Sequence, residues 1–332
     1  MSFFNLRRGR DERGERFTVA VNATESYCGN RTAFDRNSKH VRELEKEGAE
    51  VREVNYGDRN SLEHALRDVD WLVHLPESSR NAVRDAEELS RAAREKDVRG
   101  AIALSLLGAD EERTKTHRDY HKIEKIIQDE VQNSSVLRVS WMSEAFLLWS
   151  ENIREKCELD LNLDEKNDTI VPVDFEDFIC AICALIRREF DDRIHHHNVY
   201  SITGRDALNP RDIVDIINET TNDRDKRRVR YRQVKRNDIR EYLRNLDEDE
   251  DRGRERHRNE YDPRCFLPLN DREIEKILDI LEYAKESDNA GRVTDDFRRL
   301  TGDEPRSVED FFKNNRRDFE PRGDRRRSYA RL

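Results

Sequence analysis

No apolar run in this 332-residue chain approaches the roughly 18 residues that a helix needs to cross a bilayer. The opening Met1-Ser-Phe-Phe-Asn-Leu-Arg-Arg holds too short an apolar stretch for a signal peptide. Cysteine is scarce and odd in number. Cys28, Cys157, Cys180, Cys183 and Cys265 are scattered, which suits a reducing compartment better than a disulfide framework. The expected location is therefore the cytoplasm, with the nucleus left open. Positive charge is not in excess: Lys and Arg number 63 against 73 Asp and Glu, a net charge of −10. Phosphate neutralisation needs a basic face, so nucleic acid is not the expected partner. Hydrophobic residues make up only 35% of the chain and charged ones 41%. A packed core must then come from a few strongly patterned segments, with charge gathered in tails and on helix faces.

Those segments exist. Phe17-Thr-Val-Ala-Val21, Glu50–Val54, Trp71–Leu75, Gly100–Leu107 and Ser135–Val139 have strand composition. Helical patterns separate them: Ser61–Leu66 behind a Ser cap, Asn81–Lys96, and a stripe of Ile123, Ile126, Ile127 and Val131. Strands alternating with helices imply βαβ units and a parallel sheet, an α/β fold of the doubly wound Rossmann type. Past residue 150 the rhythm changes. Phe175–Ile186 is apolar nearly all round and predicts a buried helix, and Val199–Thr203 predicts a strand. Pro210 opens a helix carrying Ile213, Ile216 and Ile217, Val229–Val234 alternates like a strand, and Ile274, Ile277, Leu278 and Leu281 mark a further helix. The expected organisation is a charged, disordered arm (1–16), a Rossmann-like domain (17–155), a smaller α/β part completing a cleft (156–319) and a basic tail (320–332). The mixed-charge stretch Asp247–Arg258 reads as a solvated loop or frayed helix.

Several further motifs read as structural. Cys180-x-x-Cys183 lies inside the apolar helix, so both thiols are expected to be inert core packing. His195-His-His197 is a polar turn, since three consecutive residues cannot all face one ion; no metal is expected. The basic run Arg224–Arg232 is expected to be a solvated strand edge, and Arg325-Arg-Arg327 sits on the tail, where it could serve as a nuclear address.

Glu47-Gly-Ala-Glu-Val51, Tyr56-Gly-Asp58 and Ser61–Asp70 are followed by His121-Lys-Ile-Glu124 with Val136-Leu-Arg138, Tyr200-Ser-Ile-Thr-Gly204, Val293–Gly302 and Pro305–Phe312. In that order and spacing, over roughly residues 17–319, the chain resembles the NmrA-like family of atypical short-chain dehydrogenase/reductases. The resemblance implies a Rossmann fold, nicotinamide-nucleotide sensing and a cleft at the strand C-terminal ends. It also locates departures. The family's first loop carries glycines so that backbone amides reach a pyrophosphate. Here it reads Asn22-Ala-Thr-Glu-Ser-Tyr-Cys-Gly29, with Asn22 and Glu25 in place of the first two glycines. Either Glu25 repels phosphate, or Asn22, Thr24 and Gly29 form a modified cradle. The chain from Asn22 to Gly48 is also short by about one helix. By position, Arg36 would meet a 2′-phosphate at the end of the second strand, or is a surface arginine; Asp58 and Arg59 would approach adenine, or form a plain turn. Ser105 holds the usual serine position. The usual lysine and tyrosine positions, counted back from Glu124, carry Tyr120 and Thr116. With no proton-transfer pair, the leading expectation is a non-catalytic regulator or scaffold that acts through protein partners and binds NADP weakly or not at all. An NAD(P)H-dependent reductase of small carbonyl or quinone substrates is the alternative, and a structural subunit of a larger assembly the third.

Overall fold

The computed structural model describes residues 2–10, 16–23, 45–46, 49–189, 198–221, 227–246 and 269–321. Its spine is a seven-stranded sheet in the order β3-β1-β2-β4-β5-β6-β8, made of β1 (Ser2–Arg10), β2 (Arg16–Ala23), β3 (Ala49–Glu53), β4 (Trp71–His74), β5 (Gly100–Leu106), β6 (Ser134–Val139) and β8 (Asn198–Ile202). The run β2-β4-β5-β6-β8 is parallel throughout. Buried on both faces, β4 and β5 read as near-continuous apolar text, as parallel strands do.

The connecting helices cover one face: α1 (Arg59–Ala65), α2 (Ala82–Glu95) and α3 (Lys115–Glu130) pack Leu62, Leu66, Leu89, Ile123 and Ile127 against Ala20, Leu72 and Ala101. After a 3-10 turn over Ser143–Trp149 come α4 (Ser150–Lys156), β7 (Glu158–Leu161) and α5 (Phe175–Glu189). On the other face of the sheet, Phe178, Ala181 and Leu185 of α5 meet Ile102, Leu137 and Ile202. The rest forms a second core around Trp149, Phe146 and Phe312: α6 (Pro210–Thr221), β9 (Arg230–Gln233), α7 (Arg236–Arg244), α8 (Asp271–Glu286), α9 (Asp296–Thr301), α10 (Val308–Asn314) and α11 (Arg316–Phe319). Of these, α9 leaves that core to pack Phe297 and Leu300 beside α5. β7 and β9 pair in parallel as a separate two-stranded sheet.

The fold class is the expected one, with four local differences. The arm expected to be disordered over 1–16 instead supplies β1. It pairs antiparallel with β2 (Ser2 opposite Ala23) and with β3 (Ser2 opposite Glu53). In the doubly wound order 3-2-1-4-5-6 this is the slot of the second strand. β1 thus stands where the short Asn22–Gly48 connection was expected to place one, and Arg36 lies outside the described residues. Second, α1 starts before Ser61, because Asp58 is its cap, accepting the Asn60 N–H at 3.0 Å. Third, the strand assigned to the smaller part joins the main sheet beside β6, so the chain returns to the Rossmann half after residue 156. Fourth, α5 is not buried all round: Cys180 and Cys183 are both exposed. The segments Asp247–Arg258, His195–His197 and Arg325–Arg327 lie outside the described residues. Of the basic run ending at Arg232, the described strand residues are ion-paired: Arg232 binds Asp160 and Arg230 approaches Glu158 at 3.9 Å.

Candidate functional site

In open α/β sheets ligands bind outside the carboxyl ends of the strands, and there the described residues form a crevice. Leu106 and Leu107 close β5, and Val139, Ser140 and Trp141 close β6. Ile170, Val171 and Ala290 form one side, and Ile280, Tyr283 and Ala284 of α8 form the roof. The crevice is small in its present shape: its enclosed volume is about 20 Å³, room for roughly one water. Its walls are mostly apolar. The indole N–H of Trp141, a residue only 3% exposed, has no hydrogen-bond partner among the described residues.

Side chains from both halves of the molecule tie the roof down. Gly108, at φ 79°, follows β5, and the Tyr283 ring lies where its side chain would be: a Cβ there would come within 2.1 Å of the ring. The Tyr283 hydroxyl donates to Glu111 Oε1 at 2.7 Å, Ser287 Oγ donates to Oε2 at 2.8 Å, and Asn289 Nδ2 donates to Oε1 at 3.1 Å. Burial alone would raise the Glu111 carboxyl, but these donors outweigh it and hold it below the usual carboxylate range. Burial pushes the Tyr283 hydroxyl up, so it stays protonated. One turn away Asp279 accepts from Thr116 N (3.0 Å), Thr116 Oγ1 (2.5 Å) and Arg236 (2.7 Å), joining α8 to the first turn of α3. Lys276 Nζ donates to Ser78 Oγ at 3.0 Å, joining it to the loop after β4. His117 stacks on Tyr283 with centroids 4.7 Å apart, and its Nδ1 meets Thr114 Oγ1 at 2.7 Å. Burial lowers its pKa, outweighing the opposing pull of Asp279 and of the Leu107 backbone.

The residues singled out from sequence are not brought together. Ser105 faces α3: its hydroxyl donates to Glu124 Oε1 at 2.5 Å, and Arg138 closes on the same carboxylate at 2.9 and 2.7 Å. This buried Ser–Glu–Arg set joins β5, α3 and β6 and contributes no wall to the crevice. Tyr120 is half-buried on α3, one turn before Glu124. Asp58 caps α1, and Arg59 is engaged with Glu63 (3.1 Å) and Glu95 (2.5 Å). Asn22 pairs opposite Phe3, one residue before Ala23 ends the pairing of β2; Thr24, Glu25, Gly29 and Arg36 lie outside the described residues. Sequence reasoning missed Tyr283, Glu111, His117 and Trp141. The available signal was a tyrosine two residues past the apolar stripe of α8, but only the fold shows that it lies over Gly108.

With this geometry in hand, comparisons place the chain among known proteins. A family model described as NAD(P)H-binding matches residues 20–144, from β2 through the turn that follows β6. No curated protein matches the chain in sequence. Among solved structures, it is similar to an NADPH-dependent quinone oxidoreductase from Escherichia coli complexed with NADPH. The TM-score is 0.64 at 17% identity, covering 84% of this chain and 88% of that one. A Citrobacter triphenylmethane reductase complexed with NADP(H) gives 0.63 at 15%, over 84% and 88%. A nucleoside-diphosphate-sugar epimerase from Staphylococcus aureus gives 0.56 at 13%, over 79% and 82%. The shared fold is an α/β Rossmann-like sheet. Among the described residues no helix is long and apolar enough to cross a membrane.

Proposed function

We propose that this chain is an NAD(P)H-binding protein of the NmrA-like group and reduces a small, ring-bearing carbonyl or quinone substrate. One observation carries the reading. The apolar crevice opens at the carboxyl ends of β5 and β6, within the segment matched by the NAD(P)H-binding model and under a helix from the other half. Two of the three neighbours of similar fold are a quinone reductase and a dye reductase, the third being a sugar-nucleotide epimerase. The residues that would hold the nucleotide are the backbone of Asn22 and Ala23 at the end of β2, and Leu107 and Trp141 at the crevice. When bound, a reduced nicotinamide supplies a hydride. The chain's own residues exclude water through the walls of Leu106, Trp141 and Ile280, while the Tyr283 hydroxyl, committed to Glu111, holds the roof in place.

A second reading, a regulator without turnover that works through protein partners, is favoured by the glycine-poor loop from Asn22 to Gly29 and by Tyr283 filling the space over Gly108. Calorimetric titration with NADPH and NADH, followed by nucleotide oxidation with a panel of quinones and triphenylmethane dyes, separates the two. Binding with turnover supports the reductase. Binding without turnover across the panel supports the regulator. No binding of either nucleotide rejects the first reading.

A further inference from the structure

The outer face of α5 carries two cysteines that the crevice does not use. Phe178, Ala181 and Leu185 point into the sheet. Helical periodicity then turns Ile179, Cys180 and Cys183 outward. Both thiols are free and exposed, and Ile179 is 38% exposed. Side chains three apart on a helix are neighbours with Cβ atoms about 5–6 Å apart. A disulfide needs about 3.5–4.5 Å, so these thiols cannot oxidise to one another without bending the helix. A soft atom bonded to each sulfur at about 2.3 Å spans the same gap with the backbone in place. Partial burial, together with Cys180 beside it, pushes the Cys183 thiol up. Cys183 therefore stays protonated until a ligand forms a bond strong enough to displace the proton. Among the described residues no group of three or more His, Cys, Asp or Glu is placed to hold a metal. An ion that demands four protein ligands, as structural zinc does, is not served here.

We propose that Cys180 and Cys183 form a two-thiol site on α5 for a soft, thiophilic centre satisfied by two protein ligands, trivalent arsenic being the type case. With an organic arsenic oxide, both S–H bonds and the arsenic–oxygen bond break, two arsenic–sulfur bonds form, and the oxygen leaves with the two protons as water. Arsenic remains trivalent, and no oxidant or reductant is consumed. The site is independent of the nucleotide reading.

The test uses the full-length protein, phenylarsine oxide as probe, and intact-mass spectrometry after a chase with excess glutathione. A single thiol gives up arsenic to a monothiol, whereas a chelating pair retains it. The expected result is one adduct that survives glutathione and is stripped by 2,3-dimercaptopropanol. It should be lost completely in both Cys180→Ser and Cys183→Ser, each with an unchanged circular-dichroism spectrum. Zinc offered alone should leave the rate at which maleimide labels these two cysteines unchanged. No glutathione-resistant adduct on the wild-type chain would overturn the proposal. So would an adduct that persists in either variant, which would place the arsenic on other cysteines such as Cys28 or Cys265, and so would zinc protection of the pair.

Discussion

His74 and Glu144 are buried groups whose protonation moves stability in opposite directions. His74 ends β4, is 2% exposed, and neither ring nitrogen has a partner among the described residues. Burial lowers its pKa from 6.5 to about 4. It folds neutral, so its contribution is intact above pH 6.5 and is lost as pH falls towards 4, by roughly 2 kcal/mol at pH 5. Glu144 is 8% exposed. Its Oε1 accepts the Phe175 N–H at 3.1 Å, and its Oε2 has no partner among the described residues. Burial, helped by the nearby Asp174 and Asp177, raises it to about 7. Its contribution is present below pH 4.5 and lost as pH rises through 7, on the order of 3 kcal/mol. The two slopes oppose each other between pH 4.5 and 6.5. Urea denaturation at pH 5 and pH 8 should show His74→Leu gaining about 2 kcal/mol more over wild type at the acid end. Glu144→Gln, which keeps an acceptor for Phe175, should gain at the alkaline end instead. Parallel pH profiles for wild type and both variants would show that neither group is held in its neutral form.

At the scale of elements, β1 is the feature with the largest consequence. It lies inside the sheet between β2 and β3, so its removal strips hydrogen-bond partners from two strands and detaches β3. Deleting residues 1–15 should cost at least about 3 kcal/mol, or prevent folding, in a thermal melt followed by circular dichroism. A deletion variant that melts with the full chain would mean that β1 is dispensable. The sequence hid this strand because Arg7, Arg8 and Arg10 give its second half the composition of a solvated arm. The remaining strands of the main sheet and helices α1 to α3 were legible, since their periods match what they bury. The outward turn of Cys180 and Cys183 was not: a helix apolar all round does not declare which side the sheet covers. The alternation of Val229–Val234 announced β9, whereas β7, only four residues long, carries too few positions to stand apart from a loop and was not anticipated. The candidate site was barely legible, because its walls join β5 and β6 to α8, which lies more than a hundred residues further along the chain.

At the scale of the whole molecule, the question is whether α8 is a fixed roof or an adjustable one, and Tyr283 decides it. Its ring packs against Gly108 and His117 and lines the crevice, while its hydroxyl is one of three donors to Glu111. Tyr283→Phe keeps the ring and removes one of those donors, so stability should fall by about 1 kcal/mol, with little change in the shape of the crevice. Tyr283→Ala removes the ring and should cost about 3–5 kcal/mol, the range for buried aromatic truncation. It also joins the vacated space to the crevice, because the side chain is itself part of the wall. A naphthoquinone, larger than the present crevice admits comfortably, should then bind at least several-fold more tightly to the alanine variant than to wild type or Tyr283→Phe. Isothermal calorimetry at a temperature well below the variant's melting point provides the comparison. The Asp279–Thr116 and Lys276–Ser78 contacts should keep α8 seated after the ring is gone. A gain in affinity would therefore report the enlarged crevice rather than a detached helix. Equal affinity in all three proteins would move the ring-binding site away from the carboxyl ends of β5 and β6.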